Sequence, residues 1–594
     1  MTRLLSCFII QATEKFRGSS RPRFHWIRRT AVGKKIVVIG GVACGPKAAA
    51  RARRRDAEAR ITIVERGPFV SYAGCGLPYY IGGVVEELEG LMRTSFGTVR
   101  DLLYFDKVKD IRVLTRTEAV KIDRAKKVVV VKSLESSQES ELAYDQLVLA
   151  TGAAPVRPPI PGMELGNVFT LRRPQEAEVI RKKIEAGEAD RVCIIGAGRI
   201  GLEVAEALSN QAVETTMVDV APQVLTGLLD ADLAAMVAKM LRDEKVALYL
   251  GECVNSFAGA DGKVIKVVTD KREIETDAVI VAVGVRPEVA LAKDAGIELG
   301  CTGAISVDDH LRTSDPDIFA GGDCAETSSL VTGRKIWVPL GSTANRHGRV
   351  IGDNVTGGDS KFPGIVGTGV LRTLGLNVGS TGITEEKARE CGHDAISCLA
   401  PSGDKSHFYP GGKQIIVKLV ADKKTGKLLG GQVAGPGDVV RRLDTIASAL
   451  TFGAGIDDLG NMDLCYAPPF GTAIEAVAHA ANILRNKRDG LAESLGPFEL
   501  KDLLAGDGDF MVLDVRGQGE LTAAGKIEDR RYRHVGMEDL RASMPELPGN
   551  KPILVICQAG QRSYEAARAL RGAGFREARF VDGGMSVFLR IARQ

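Results

Sequence analysis

The stretch that most limits how this chain can fold is Gly196-Ala197-Gly198-Arg199-Ile200-Gly201. An apolar run over residues 191–195 precedes it and a run of helical character over 202–208 follows it, which predicts a strand, a glycine turn and a helix. In such a β-α-β unit the three glycines let the backbone approach a pyrophosphate. The next predicted strand ends at Asp219, 18 residues after Gly201. An acid there accepts hydrogen bonds from a ribose diol and repels a 2′-phosphate, which favours NADH over NADPH.

A second glycine turn, Gly40-Gly41-Val42-Ala43-Cys44-Gly45, follows a predicted buried parallel strand over residues 34–39. A predicted helix over 48–55 and a predicted strand over 61–65 come next, and Glu65 stands 20 residues after Gly45. The turn suits a pyrophosphate at a helix N-terminus. Val42 replaces the middle glycine, so a β-α-β unit that binds nothing is the alternative. Two such sites in one chain predict a flavoprotein that NADH reduces, with FAD held at Gly40, Gly41, Gly45 and Glu65.

Two further turns are candidates for the FAD site. The predicted strand over 147–150 runs into Thr151 and Gly152, where the chain returns from the first nucleotide unit. The predicted strand over 318–320 runs into two glycines and Asp323. The carboxylate of Asp323 is a candidate to bind a ribitol or phosphate-linked hydroxyl of a flavin. A capping aspartate in an ordinary turn is the alternative.

A single cysteine, Cys75, stands in the stretch Ser71-Tyr72-Ala73-Gly74-Cys75-Gly76-Leu77-Pro78-Tyr79-Tyr80. Pro78 suits the first turn of a helix, and a helix N-terminus beside a cysteine favours its thiolate. Tyr80 occupies the position where a local disulfide partner would stand. Cys75 is therefore expected to work alone, as a mixed disulfide, persulfide or sulfenate; a buried inert cysteine is the alternative.

Cysteine usage and charge narrow the class of protein. Eleven cysteines are scattered without a CxxC pair, which favours a reducing compartment and no metal site. Residues 1–33 hold seven Lys/Arg and one acid, and the rest of the chain has a net charge of −2, so no nucleic-acid partner is expected. The basic leader resembles a transit peptide for the mitochondrion or another organelle. A disordered extension or a start codon placed too far upstream would instead leave the protein cytoplasmic. No apolar run reaches membrane-spanning length.

These elements, in this order, resemble the flavoprotein disulfide reductases with two dinucleotide-binding domains, over residues 34 to about 485. The cysteine stretch resembles the single-cysteine branch, which holds coenzyme A-disulfide reductases, NADH oxidases and NADH peroxidases, and Cys75 falls on its redox cysteine. Gly74 stands where the family more often has asparagine. Oxidases and peroxidases of the branch carry a histidine in the first glycine turn, which here reads Val42-Ala43-Cys44. The resemblance therefore implies reduction of a disulfide or persulfide rather than of peroxide, and it implies no role for Cys44.

The same resemblance implies a homodimer and a coenzyme A site. Residues 356–485 resemble the dimerisation domain of the family, which supplies tyrosines to the partner's active site. Tyr466 and Tyr409 match those positions, with packing tyrosines as the alternative. In coenzyme A-specific relatives the ligand lies across basic residues of the first helix and the loop before the cysteine. The candidates here are Arg51, Arg54, Arg55 and Ser71; a solvated basic helix face is the alternative.

The C-terminal stretch carries a second reactive cysteine. Cys557 ends a predicted strand over 552–557, and the loop from Cys557 to Ser563 leads into a predicted helix over 564–570. Loop N–H groups and a helix N-terminus stabilise a thiolate, and Arg562 adds positive charge. The loop resembles the active-site loop of rhodanese domains, which hold sulfane sulfur as a cysteine persulfide. A non-catalytic sulfur-carrier or docking module is the alternative.

Together these observations predict an α/β protein with two Rossmann-like domains, an α+β dimerisation domain and a C-terminal rhodanese domain. The resemblance implies an FAD-dependent NAD(P)H oxidoreductase that reduces coenzyme A disulfide, coenzyme A persulfide, glutathione persulfide or polysulfide. The alternatives are an NADH oxidase or peroxidase, and a redox-sensing sulfur carrier with little turnover. The predicted segments are a leader (1–33), an FAD-binding domain in two parts (34–155 and 286–355), an NAD-binding domain (156–285), a dimerisation domain (356–485) and a rhodanese domain (495–594).

Overall fold

The computed structural model describes residues 33–592, so the predicted leader lies outside the described residues except for Gly33. The fold is of the mixed α/β class, as predicted, and its larger sheets follow one another along the chain. Within residues 33–592 no helix has both the length and the apolar character that crossing a membrane requires.

The first nucleotide unit is a parallel sheet in which β1 pairs with β2 on one side and with β7 on the other. β1 is almost wholly apolar because both faces of the sheet are covered. A three-stranded antiparallel sheet, β4-β5-β6, is inserted between β3 and β7. The elements are β1 (Lys35–Ile39), α1 (Cys44–Arg55), β2 (Arg60–Val64), α2 (Leu77–Ile81), β3 (Arg112–Leu114), β4 (Thr117–Asp123), β5 (Val128–Ser133), β6 (Glu139–Ala143), β7 (Gln146–Leu149) and β8 (Ala153–Pro155).

The second nucleotide unit has a five-stranded parallel sheet in the order β12-β11-β10-β16-β9. A three-stranded antiparallel sheet, β13-β14-β15, follows β12, and β17 pairs with β8 where the chain returns to the first unit. The elements are β9 (Val168–Thr170), α3 (Pro174–Glu185), β10 (Arg191–Ile195), α4 (Arg199–Asn210), β11 (Glu214–Asp219), α5 (Ala231–Asp243), β12 (Ala247–Leu250), β13 (Val254–Ala260), β14 (Lys263–Thr269), β15 (Glu273–Glu275), β16 (Ala278–Val281) and β17 (Val285–Pro287).

The next stretch completes the first sheet, whose order is β18-β7-β1-β2-β3. α7 packs on α1 at two glycines: a Cβ on Gly348 would lie 2.5 Å from the Cys44 carbonyl oxygen, and one on Gly352 would lie 2.6 Å from that of Ala48. The backbones of the two helices therefore touch. The elements are α6 (Ala290–Asp294), β18 (Ile318–Ala320), β19 (Thr327–Ser328), β20 (Lys335–Ile336) and α7 (Gly341–Asn354).

An antiparallel sheet in the order β21-β22-β25-β24-β23 forms the next layer. Helices α9 and α11 pack on it, and the apolar side chains of β24 and β25 lie in its core. The elements are β21 (Gly369–Thr373), β22 (Leu376–Gly382), α8 (Glu385–Glu390), β23 (Ala395–Gly403), β24 (Gln414–Asp422), β25 (Leu428–Gly435), α9 (Val440–Thr451), α10 (Ile456–Gly460) and α11 (Ala476–Arg488).

The C-terminal sheet is parallel, in the order β26-β30-β29-β27-β28. Its last helix is docked on the rest of the protein, because Val587 and Ile591 share one apolar core with Met236 and Leu399. The elements are β26 (Ser494–Leu495), α12 (Pro497–Ala505), β27 (Met511–Asp514), α13 (Gln518–Ala524), β28 (Tyr532–His534), α14 (Leu540–Ser543), β29 (Ile553–Ile556), α15 (Gln561–Gly572), β30 (Ala578–Val581) and α16 (Gly584–Ala592).

A buried cation joins the antiparallel sheet to the second nucleotide unit. Lys418 on β24 is 3% exposed, and its Nζ lies 2.6 Å from Asp232, 3.2 Å from Glu385 and 3.3 Å from Asp230. Burial alone would lower the pKa of Lys418, but the three carboxylates raise it above its ordinary value. The charge is therefore retained, and three acids from two units depend on it.

Replacing Lys418 by Met is expected to destabilise the protein by about 3–5 kcal/mol, because the substitution leaves buried carboxylates without a cation. The matched control is Lys424→Met, since Lys424 is exposed. This substitution is expected to change the free energy of unfolding by less than about 0.5 kcal/mol. Thermal denaturation of the FAD-loaded proteins measures both effects. Equal midpoints for the two variants would show that the Lys418 network does not hold the units together.

Candidate active site

The two glycine turns have the same backbone geometry. Gly40 has a φ of +109° and Gly196 has a φ of +111°, values that side chains disfavour. A Cβ on Gly40 would overlap the Ala150 carbonyl oxygen, and one on Gly196 would lie 2.6 Å from that of Ala282. Each turn is thus pressed against the end of a neighbouring strand, and only glycine fits its first position.

An acid closes each turn in the same way. Glu65 accepts hydrogen bonds from the N–H groups of Gly41 and Gly67, both at 2.7 Å. Asp219 accepts them from Ala197 at 2.6 Å and from Ala221 at 2.8 Å. Each carboxylate is therefore fixed beside its glycine turn with lone pairs left over, as binding a ribose diol requires.

The helices after the turns are open to a phosphate. Neither α1 nor α4 has a side chain capping its first N–H groups, and a Cβ on Gly198 would meet no atom within 4 Å. Uncapped N–H groups at a helix N-terminus are a binding site for anions. The residues present therefore fit one pyrophosphate at each turn, as FAD and a nicotinamide nucleotide require.

The other FAD candidates lie at the carboxyl edge of the first sheet. The Thr151 hydroxyl donates to the Glu288 carbonyl at 2.6 Å, and Gly152 has a φ of +77°. Asp323 forms an ion pair with Arg172 at 3.2 Å. Arg172 was not among the predicted residues, since nothing in its local sequence signals this long-range pair.

Cys75 lies in a 3-10 turn, Gly74–Gly76, directly before α2. Pro78 stands in the first turn of that helix, as predicted. The sulfur of Cys75 faces a second helix, because a Cβ on Gly341, the first residue of α7, would lie 3.9 Å from this sulfur. The redox candidate is therefore held where α2 and the much longer α7 both begin.

The expectation that a helix end lowers the pKa of Cys75 is wrong. Burial of the thiol raises its pKa, the carboxylates of Glu203 and Asp323 raise it further, and Arg172 and a backbone N–H only partly offset them. Although the residue as a whole is exposed, desolvation of the thiol and the two acids outweigh the lowering contributions. The surroundings of Cys75 therefore favour its protonated form.

Glu203 is a second titratable group at this site that sequence reasoning missed. It lies on α4 and lines a cleft together with Pro78 and Tyr79 of α2. Burial raises the pKa of Glu203 to about 7, with Arg199 lowering it and Glu206 raising it. The only sequence signal is its place two residues after Gly201 in the glycine-turn helix, which says nothing about its nearness to Cys75.

The predicted coenzyme A residues are placed differently from one another. Arg51 and Arg55 on α1 face Asp353 of α7, at 2.6 Å and 3.7 Å. Arg54 is exposed and, among residues 33–592, has no ion-pair partner. Ser71 is buried in a left-handed conformation, with its N–H donating to the Gly41 carbonyl at 2.7 Å. Ser71 thus belongs to the first glycine turn, and Arg54 has the freest side chain of the four.

Cys44, to which no role was assigned, is the first residue of α1 and is buried. Its sulfur would lie 3.1 Å from a Cβ on Gly321. Burial raises the pKa of Cys44 well above its ordinary value, and the neighbouring Cys324 and Asp323 add to this rise. The residue therefore packs as a neutral thiol between two glycine-containing turns.

The two predicted tyrosines lie on connected loops of the antiparallel layer. Ser406, three residues before Tyr409, donates its N–H to the Pro468 carbonyl at 3.3 Å and its hydroxyl to that of Gly471 at 3.0 Å. Tyr409 is 37% exposed and Tyr466 is 50% exposed. The two hydrogen-bonded loops thus form one region, the open tyrosine surface, in which Phe408, Phe470 and Ile474 are exposed as well.

The C-terminal cysteine lies in a closed loop. Cys557 follows β29 and is 1% exposed. Its sulfur accepts a hydrogen bond from the Gly560 N–H at 3.1 Å and donates to the Ser563 hydroxyl at 3.4 Å. Gly560, with a φ of +100°, precedes α15. One backbone N–H group thus binds the sulfur just before the N-terminus of α15.

Arg562 does not act as a free positive charge beside Cys557. Its two guanidinium nitrogens bind Glu520 of α13 at 2.6 Å and 2.5 Å. The pair lowers the pKa of Glu520, first through these hydrogen bonds. Glu520 was missed because it lies 42 residues before Arg562.

Three family models match consecutive parts of the chain. They are the pyridine nucleotide-disulphide oxidoreductase family over residues 34–348, its dimerisation domain over 373–478, and the rhodanese-like domain over 497–590. The first match alone spans more than half of the chain.

Named relatives cover different shares of the chain. The NAD(P)H coenzyme A polysulfide/persulfide reductase of Pyrococcus horikoshii is 36% identical over 76% of this chain and 98% of its own length. The NADH oxidase of Methanocaldococcus jannaschii is 34% identical over 75% of this chain and 98% of its own. The solved NAD-dependent persulfide reductase from A. fulgidus is 43% identical, with a TM-score of 0.89, over 93% of this chain and 100% of that one.

The glycine turns, the single cysteine beside them and the sequence matches lead to one assignment. The family is FAD- and NAD(P)H-dependent, in agreement with the two pyrophosphate sites described above, and its dimerisation domain indicates a dimer. This chain belongs to the pyridine nucleotide-disulphide oxidoreductase family and carries a C-terminal rhodanese-like domain.

Proposed function

We propose that the protein is an NADH-dependent reductase of coenzyme A persulfide, with coenzyme A disulfide or polysulfide as related substrates. The observation that carries the proposal is the place of Cys75, a lone thiol between the two nucleotide units, facing the first residue of α7 and coupled to a carboxyl group. Two similar proteins are named persulfide reductases, and one of them matches the rhodanese part as well. This similarity supports the choice of substrate.

The chemistry needs one thiolate and two electrons. The Cys75 thiolate attacks the sulfane sulfur of R–S–SH, the S–S bond breaks, RS⁻ leaves, and Cys75 retains the sulfur as Cys–S–SH. FAD and NADH, when bound, supply the two electrons that convert this persulfide into the Cys75 thiolate and HS⁻. Each turnover consumes one NADH and one persulfide and yields one thiol and one sulfide. Gly40, Gly41, Gly45, Glu65, Thr151, Gly152 and Asp323 are the residues proposed to hold FAD, and Gly196, Gly198, Gly201 and Asp219 those proposed to hold NADH.

Glu203 supports proton transfer at this thiol. A carboxyl group with a pKa near 7 is partly protonated at neutral pH, and such a group can accept a proton from an attacking thiol and return it to a leaving thiolate. Its carboxylate also acts on Cys75 through its charge, which raises the thiol's pKa. Arg54 is the candidate whose side chain is free to bind a phosphate of coenzyme A.

The open tyrosine surface fits a homodimer contact. Tyr409 and Tyr466 share it with Phe408, Phe470 and Ile474, which are 67%, 65% and 62% exposed. Large exposed apolar patches mark interaction surfaces, and we propose that a second copy covers this one, so that the tyrosines reach its active site. A tyrosine hydroxyl there would stabilise or protonate a leaving thiolate.

An NADH oxidase is the second candidate, because several relatives carry that name. The first glycine turn of this chain places Val42, Ala43 and the neutral Cys44 where the oxidases and peroxidases of the family carry a histidine, which disfavours peroxide chemistry. We further propose that the basic leader is a transit peptide, on the strength of its seven Lys/Arg and one acid. N-terminal analysis of the native protein would locate a cleavage site.

Replacing Cys75 by Ser is expected to lower anaerobic NADH oxidation with coenzyme A persulfide by about 10³-fold or more, because the variant lacks the nucleophile. The matched control is Cys301→Ser, since Cys301 is also an exposed free cysteine and is expected to leave the rate unchanged. Mass spectrometry of the parental enzyme, quenched without NADH, should find one added sulfur on Cys75. A Cys75→Ser protein with the parental rate would contradict the mechanism.

Replacing Glu203 by Gln is expected to move the alkylation of Cys75 by iodoacetamide to lower pH. Ionised Glu203 raises the pKa of the Cys75 thiol, so removing this charge lets the thiolate form earlier as the pH rises. Glu214→Gln, at an exposed strand end, is the control and should keep the parental midpoint. An unchanged or higher midpoint in Glu203→Gln would show that the two groups are not coupled.

Replacing Cys557 by Ser is expected to abolish sulfur transfer from thiosulfate to cyanide while the flavin content and the NADH reduction of bound FAD stay at parental levels. The Cys557 thiol is the only group in the loop that can carry sulfane sulfur. Its sulfur forms hydrogen bonds with Gly560 and Ser563 of the same loop. Cys391→Ser serves as the cysteine control. Sulfur transfer at the parental rate in Cys557→Ser would show that Cys557 does not carry the sulfur.

A further inference from the structure

The stretch 582–586, called the turn below, joins β30 to the first residues of α16 and touches the loop of Cys557 directly. Met585 donates its N–H to the Cys557 carbonyl and Ser586 donates its N–H to the Gln558 carbonyl, both at 2.9 Å. The contact is close, because a Cβ on Gly584 would lie 2.9 Å from the Gln558 carbonyl carbon. The loop therefore rests on this turn through two backbone hydrogen bonds and has little room to shift on that side.

The same turn is held from the other side by residues outside the rhodanese part. Gln414 on β24 donates its Nε2 to the Ser586 hydroxyl at 3.3 Å. Lys487 on α11 donates to the buried Asp582 at 2.5 Å, and Leu399 on β23 would lie 3.3 Å from a Cβ on Gly583. Two hydrogen bonds and one packing contact thus fix the turn to the antiparallel layer.

The Ser586 hydroxyl contacts both the antiparallel layer and the Cys557 loop. It accepts one hydrogen bond from Gln414 and another, at 3.2 Å, from Nε2 of Gln558. Gln558 follows Cys557 directly, and its Oε1 is buried with no hydrogen-bond partner among residues 33–592. The hydrogen bond to the Ser586 hydroxyl therefore holds the Gln558 side chain in place, and Gln414 donates to the same hydroxyl.

We propose that Gln414, a residue of the antiparallel layer, is a positioning residue for the Cys557 loop and acts through the Ser586 hydroxyl. The inference rests on the proposed function only in taking Cys557 as the sulfur-carrying thiol. Its consequence is that sulfur transfer in the rhodanese part depends on a contact made by the reductase part. A shifted loop weakens the bond from the Gly560 N–H to the sulfur and with it the stability of the thiolate.

The test uses the full-length, FAD-loaded protein in a Cys75→Ser background, which removes the other thiol proposed to carry sulfur. The variants are Gln414→Met and Ser586→Ala, both neutral, and the double variant; Ser586→Thr restores the hydroxyl, and Gln138→Met is the control at an exposed position. Two quantities are measured for each protein: kcat/KM for thiosulfate-to-cyanide transfer, and the pH midpoint of Cys557 alkylation by iodoacetamide, followed on the Cys557 peptide.

We expect both single variants to lose about threefold to tenfold in kcat/KM, as for one lost hydrogen bond, and to shift the alkylation midpoint to higher pH. The double variant should lose no more than the larger single loss, because both changes break one chain of contacts. Ser586→Thr should restore both readouts, and Gln138→Met should not move either.

Parental alkylation midpoints in Gln414→Met and Ser586→Ala would overturn the proposal, and so would independent, multiplying losses in the double variant. A parental protein that fails to transfer sulfur would refute the proposed role of Cys557 instead. In that case the alkylation midpoints alone decide whether Gln414 positions the loop.

Discussion

The constraint on which the structure depends most is steric, at the first glycine of each nucleotide turn. Gly40 and Gly196 are pressed against carbonyl groups of Ala150 and Ala282, in a conformation that only glycine adopts at ease. The first turn sets where α1 begins, and α1 sets the position of α7, because the two helices touch through Gly348 and Gly352. The first residue of α7, Gly341, in turn faces the sulfur of Cys75. A backbone packing requirement at the pyrophosphate site thus determines the surroundings of a thiol that is distant in the sequence.

The groups around Cys75 act on the pKa of its thiol in opposite directions. Burial, Glu203 and Asp323 raise the pKa of the thiol, while Arg172 and a backbone N–H lower it, and the N-terminus of α7 adds a favourable dipole. In the proposed mechanism a neighbouring base therefore takes the proton of the thiol before it reacts. Glu203, with a pKa of about 7, suits that task near neutral pH. At Cys557 the arrangement differs, since an N–H group points at the sulfur and the neighbouring arginine is neutralised by Glu520.

Much of the fold could be predicted because the strongest signals are local. Strand, glycine turn and helix at Gly196–Gly201 lie within about twenty residues, and the structure has β10 and α4 there. α1 is longer than predicted, since it begins at Cys44 and includes the end of the glycine turn. The site was less predictable. Glu203, Arg172, Glu520 and Gln414 act on distant residues through tertiary contacts, and no spacing along the chain indicates them. The pKa of Cys75 was predicted in the wrong direction because the argument used one short helix and omitted burial.

The central claim is that the protein reduces persulfide at Cys75 with electrons from NADH. The rhodanese part that carries Cys557 is packed against the reductase part through α16. The most direct measurement is the stoichiometry of the reaction under strictly anaerobic conditions, with FAD-loaded protein, NADH and either coenzyme A persulfide or coenzyme A disulfide. The account predicts faster turnover on the persulfide, with one sulfide released for each NADH oxidised. Oxidation of NADH that requires oxygen, or that proceeds on persulfide without release of sulfide, would contradict it.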